Sequence, residues 1–97
     1  METVNSIPKR TPKPTFNGYK NWQTWNVALW LSNDENLYRA AKLFAYAHGQ
    51  KAKALDAREF VNTVMPRGTP DMFSGNPYQS VYRGVKWSEI ASVINEF

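Results

Sequence analysis

Apolar positions crowd most densely between Trp22 and Leu31, where Trp22, Trp25, Val27, Ala28, Leu29, Trp30 and Leu31 leave little room for polar residues. At about 100° per residue, Trp22, Trp25 and Leu29 share one side of a helix, while Val27, Trp30 and Leu31 run round to the other. A helix apolar on most of its circumference is a buried one. The competing pattern is a strand, because Trp25, Val27, Leu29 and Leu31 alternate with Asn26, Ala28 and Trp30, and Trp and Val favour strands. Helix is the favoured reading, since Ala28, Leu29 and Leu31 are good helix formers and a clear helix follows.

That second helix is expected from about Ser32 to His48. Ser32 and Glu35 have the S-x-x-E spacing of a capping box, with Asn33 as an alternative cap, and either choice puts Asp34 and Glu35 in the first turn. Leu37, Ala40, Ala41, Phe44 and Ala47 recur at helical spacing, and Tyr38, Ala45 and Tyr46 widen the face. Gly49 stands where a left-handed residue ends a helix. After a basic linker over 50–54, Asp56 and Glu59 make a D-x-x-E box opening a helix whose stripe is Ala57, Phe60, Val61, Val64 and Met65, stopped by Pro66. Arg58 and Asn62 face solvent.

From Pro66 to Gly84 three prolines and three glycines forbid long periodic structure, yet the stretch carries Met72, Phe73, Tyr78, Val81 and Tyr82. That is too much apolar surface for a tether, so the loop is expected to be pinned across the helices, with a short extended piece at Tyr78 to Tyr82. Trp87, Ile90, Ala91, Ile94 and Phe97 then form a fourth helical stripe from about Trp87 to Asn95. The expected fold is an all-α bundle of about four helices with a long ordered loop.

Charge divides the chain in two. Residues 1–20 hold Pro8, Pro12 and Pro14 with Lys9, Arg10, Lys13 and Lys20 against Glu2, net +3, and read as a flexible basic arm. Asn17-Gly18 marks a turn where the arm meets the body. Residues 21–97 carry eight cations against seven anions and read as a single helical domain. The absence of cysteine excludes disulfides and thiolate metal sites and fits a reducing cytoplasm. No apolar leader opens the chain and no run approaches the roughly 18 residues of a membrane span, so neither a signal peptide nor a membrane anchor is expected.

The pattern N-W-x-T-W-N-x-x-L-W-x-x-N-D-E-x-L-Y, from Asn21 to Tyr38, resembles a family of small uncharacterised proteins of phages and other mobile elements. Val85, Trp87, Glu89, Ile90 and Ala91 are similar to that family's closing V-x-W-x-E-I-A segment, with Lys86 where an acidic helix cap is usual. The resemblance attaches no activity. It implies a genomic setting, the accessory genes of viruses and plasmids that often encode host-takeover or anti-defence binders.

Chemistry offers little beside this. There is no Gly-rich phosphate loop, no H-E-x-x-H and no EF-hand loop. Asp34 and Glu35 read as capping residues, and the single histidine, His48, as a partner for the last carbonyls of its helix. No catalytic residue, metal site or cofactor is expected. Asn26 interrupts the apolar first helix and, if buried, must find hydrogen-bond partners; the expectation is a structural amide tied to a neighbouring backbone.

The expected function is therefore a small phage or mobile-element protein that binds a host protein and inhibits or redirects it, in an anti-CRISPR or anti-restriction role for example. Arg67, Phe73, Tyr78, Tyr82 and Arg83 in the long loop are the expected partner contacts, because Tyr, Arg and Phe supply interface hot spots. The alternative is a small DNA- or RNA-binding regulator whose arm, through Lys9, Arg10, Lys13 and Lys20, holds phosphates or an acidic surface.

Overall fold

The computed structural model describes residues 17–72 and 81–97. Among them the regular elements are four helices, α1 Trp22–Asn33, α2 Glu35–Ala47, α3 Ala54–Val64 and α4 Trp87–Asn95. The fold is all-α, as expected. Residues 1–16, with most of the basic arm, and residues 73–80, the middle of the long loop, lie outside the described residues.

α4 is the centre of the bundle. It touches α1, α2 and α3, whereas α1 and α3 do not touch each other. Its Ile90 and Ile94 are completely buried, with Ala91 beside them, as the 87–97 stripe requires. Against them pack Val27 and Leu31 from α1, Ala41 and Ala45 from α2, and Ala57, Phe60 and Val61 from α3. Each large aliphatic side chain in this set stabilises the fold by about 1.5–3 kcal/mol relative to exposure. Small alanines on α2 let the helices approach closely, and Phe44 stacks on Phe60 with ring centres 4.7 Å apart. The chain's last residue, Phe97, reaches back to Tyr38 at 4.9 Å.

The break between α1 and α2 falls later than the capping-box spacing suggests. Neither Ser32 nor Asn33 caps α2. α1 continues through Asn33, and Asp34 alone leaves helical geometry, at φ −86° and ψ 122°. Its N–H closes α1 on the Trp30 carbonyl at 3.0 Å while its carboxylate accepts from the Leu37 N–H at 3.0 Å. One residue thus ends one helix and starts the next, and the dipole of α2 favours the negative charge there.

α2 ends in a Schellman motif. Gly49 and Gln50 are both left-handed, at φ 61° and 56°, and Gln50 N–H reaches the Ala45 carbonyl at 2.8 Å while Gly49 N–H reaches that of Tyr46 at 3.0 Å. The linker that follows is held by an amide clamp. Asn95 of α4 accepts from the Ala52 N–H at 3.0 Å and donates to the Ala52 carbonyl at 2.9 Å. α3 then begins at Ala54, two residues before the expected Asp56. Asp56 is the third residue of the helix rather than its cap, and its carboxylate accepts from the Lys53 N–H at 2.9 Å.

α1 also corrects the picture of a helix buried all round. Thr24, Asn26, Val27, Ala28 and Leu31 are its buried residues. Trp22, Trp25 and Trp30 are only partly buried. Since α1 packs on α2 and α4 but not on α3, it sits at the edge of the bundle.

Candidate functional site

The polar residues of the Asn21–Tyr38 segment do structural work. Asn21 caps α1, its Oδ1 accepting from the Thr24 N–H at 2.9 Å and the Thr24 hydroxyl at 2.7 Å, while its Nδ2 donates to the Gly84 carbonyl at 2.6 Å. Thr24, fully buried, accepts from the Lys86 N–H at 2.8 Å. These bonds fix the entry to α4, which is why that helix starts at Trp87 although Lys86 provides no side-chain cap. Lys20 adds to this corner through its N–H, which donates to Glu89 Oε1 at 2.9 Å.

One turn along α1 a second brace holds the start of the long loop. Asn26 is 1% exposed; its Oδ1 accepts from the hydroxyl of buried Thr69, and its Nδ2 donates to Asp71 Oδ2 at 2.8 Å. The Trp30 indole N–H donates to the same oxygen at 2.8 Å. The amide is structural as expected, but its partners are side chains of the loop rather than backbone. The bonds from Asn26 and then Trp30 hold the Asp71 carboxyl below its ordinary value, against a smaller opposing effect of desolvation.

The loop's other half is fastened by Tyr82, 4% exposed, whose hydroxyl donates to the Met65 carbonyl and whose ring meets Trp87 edge-on at 5.5 Å. Burial pushes the phenol up to about 12. Val81 and Tyr82 lie in a turn rather than in the extended piece expected over Tyr78 to Tyr82. Where this turn crosses the start of the loop, Gly68 at φ +94° has no space for a side chain, because a Cβ there would stand 2.7 Å from Val81 Cγ2.

These positions revise the expected contact set. Tyr82 belongs to the core and is withdrawn as a partner contact, since its ring and hydroxyl are both engaged inside the fold. Arg67 and Arg83 are exposed, on the two loop segments that meet at Gly68 and Val81. Phe73 and Tyr78 lie outside the described residues, as do Lys9, Arg10 and Lys13. Lys20 is exposed.

The titratable groups that invite a catalytic reading are occupied in helix ends. Asp34 caps α2, and Glu35 pairs with Arg39 one turn on. His48 Nδ1 lies 3.0 Å from the Phe44 carbonyl, the imidazole packs on the Phe44 ring, and Nε2 is 4.0 Å from Asp56 Oδ1. Among the described residues no group of three or more His, Asp or Glu side chains is placed to hold a metal ion. No described helix is long and apolar enough to cross a membrane.

Among the described residues packing leaves large apolar side chains exposed at Leu55, 62% exposed in the first turn of α3, and as a pair on the outer face of α2. Leu43 is 70% exposed and Tyr46 75% exposed. With Arg39 and Lys42 they line an open hollow of about 400 Å³. Arg39 pairs with exposed Glu35, and the Lys42 ammonium lies 5.8 Å from the Tyr38 ring centre. Tyr46 is thus exposed rather than part of the buried face on which the helical stripe places it, and Leu43 falls outside that stripe. The signal was available for both: counted from buried Ala41, Leu43 is about 200° and Tyr46 about 140° round the helix, away from the core.

Residues 12–97 match the family model "Family of unknown function (DUF7249)". No curated protein and no solved structure matches the chain.

Proposed function

The chain belongs to DUF7249, a family of unknown function, and on that premise we propose that it is a small accessory protein of a phage or other mobile element that binds a host protein and inhibits or redirects it. An anti-CRISPR or anti-restriction binder acts in this way. The observation that supports the reading is the exposed pair Leu43 and Tyr46 with Arg39 and Lys42 beside them. Among the described residues the buried polar side chains Thr24, Asn26 and Thr69 are all hydrogen-bonded, whereas three large apolar side chains stand in water. Of these, Leu43 and Tyr46 share one helix face, while Leu55 lies apart on α3. Exposed apolar clusters rimmed by polar residues mark interaction sites, and Tyr and Arg are favoured interface anchors. Arg67 and Arg83 remain candidates for a second contact.

A nucleic-acid reading has one observation in its favour, the +3 charge carried by residues 1–20. The test that separates the two is affinity capture by the tagged full chain from host lysate, with and without nuclease. A host protein retained in stoichiometric amount after nuclease treatment, and whose activity falls when the chain is added, supports the binder. Retention of nucleic acid alone, lost steeply as salt rises, rejects it in favour of a regulator that works through Lys9, Arg10, Lys13 and Lys20.

A further inference from the structure

Arg39, Lys42, Leu43 and Tyr46 occupy positions i, i+3, i+4 and i+7 of α2, so they lie in one row about 10 Å long on its outer face. The row is half apolar and half cationic. A binding partner that left either half unsatisfied would lose the benefit of the contact, and this requirement selects among occupants.

A second copy of the chain is a poor fit. A two-fold contact through this face pairs Arg39 with Tyr46 and Lys42 with Leu43 if the helices run antiparallel, and like with like if they run parallel, so in neither does this row of the second copy supply a carboxylate to the cations. The chain's own arm carries Lys9, Arg10 and Lys13, the same sign again. A polyanion would engage the cations but leave Leu43 and Tyr46 wet. The chemistry that meets both halves is a protein segment presenting apolar side chains and carboxylates on one face. Arg39 is available for it, because its present pair with Glu35 is solvent-exposed, with both side chains about 70% accessible, and such pairs contribute little.

We propose that this face of α2 docks an acidic amphipathic helix of the partner protein, with Leu43 and Tyr46 covered by its apolar stripe and Arg39 and Lys42 by its flanking carboxylates. The proposal rests on the protein-binding reading above and adds the place and the chemistry.

The test uses the full chain labelled with ¹⁵N and two helical peptides. One carries Leu at i, i+3, i+4 and i+7 with Glu at the flanking positions, and the other has Lys at each of those Glu positions. The acidic peptide should shift the amide signals of residues 39–46 and bind at least about tenfold more tightly than its Lys counterpart. The double variant L43S/Y46S should lose about tenfold or more, and R39E/K42E should prefer the Lys peptide. Both pairs are at the surface, so a native circular dichroism spectrum and melting curve accompany each variant.

Absence of shifts at 39–46, equal affinity for the two peptides, or undiminished binding by L43S/Y46S overturns the proposal. So does a concentration-dependent dimer that L43S/Y46S abolishes, which gives the face to a second copy. The lysate capture keeps the two levels apart: a host protein held equally by wild type and L43S/Y46S rejects this site but leaves the binder, whereas no host protein held by wild type rejects the binder itself.

Discussion

Replacing Asn26 by leucine tests the brace between α1 and the loop. The two side chains share their branching and number of heavy atoms, so the change removes hydrogen bonds while keeping the outline of the side chain, with two bulkier methyl groups in place of the amide. Asn26 is 1% exposed and Thr69 2% exposed, so water does not simply take over. Two bonds are lost, from the Thr69 hydroxyl and to Asp71, and the Thr69 proton is left without an acceptor in a dry site. A net bond contributes about 1 kcal/mol, and an orphaned buried donor costs about 1–3 kcal/mol. Extra apolar burial by leucine returns about 1 kcal/mol. N26L should therefore be destabilised by about 2 kcal/mol, which lowers the melting temperature of a domain this size by about 8–16 °C. Urea unfolding followed by circular dichroism reads this as a lower midpoint at unchanged slope. The companion T69V removes the orphaned hydroxyl, so the double variant should be about 1–2 kcal/mol more stable than the two single losses added together. An N26L protein as stable as wild type, or strictly additive single losses, would refute the reasoning.

Three further outcomes follow from the same contacts. Y82F should lose about 1 kcal/mol with the bond to Met65; and because the phenol is raised to about 12, wild-type stability should fall as pH rises from about 10 towards 12, a slope that urea midpoints in Y82F should lack. Asp71 is lowered, so its stabilising contribution is present above the ordinary carboxylate value of 3.8 and disappears as pH falls through the folded value; the indole N–H signal of Trp30 should move with that titration, and an unchanged signal down to the acid transition would contradict the shared bond. G68A should cost well over the ~1 kcal/mol expected of G49A, since a Cβ at 68 meets Val81 at 2.7 Å while one at 49 meets nothing within 4 Å; thermal melts of the two variants compare them directly.

What the sequence made legible was whatever a local pattern decides. The stripe Trp87, Ile90, Ala91, Ile94 placed α4, and Gly49 placed the end of α2, because periodicity and a left-handed residue act within a few positions. The starts of α2 and α3 were misplaced by up to three residues. Ser32, Asn33, Asp34 and Glu35 all offer capping chemistry, and the residue that leaves helical geometry is set by how α1 and α2 pack against each other. Asn26 was recognisable as an interior polar group because it interrupts an apolar run, but its partners, Thr69 and Asp71, are more than 40 residues away in a loop without periodicity. Tyr82 was misjudged for the same reason: nothing local separates a core tyrosine in a loop from an exposed one. For the candidate site the failure was of another kind. Leu43 and Tyr46 were exposed by simple helical geometry, yet apolar character drew attention to the loop instead.

The Asn21–Tyr38 segment is accordingly architectural. Asn21 and Thr24 hold the entry to α4, Asn26 and Trp30 hold Asp71, and Asp34 joins α1 to α2. The face assigned to binding lies just beyond it, on residues the motif does not include. Substitutions on the outer face of α2 should therefore leave these bonds intact.

On the proposed reading this scaffold presents α2 to a protein partner. Amide hydrogen exchange on the full chain, free and bound to the host protein it captures, tests that most directly. The account predicts slowed exchange across residues 39–46, with the brace residues already protected in the free chain. Slowing confined to residues 1–20, or no slowing along α2, would contradict it.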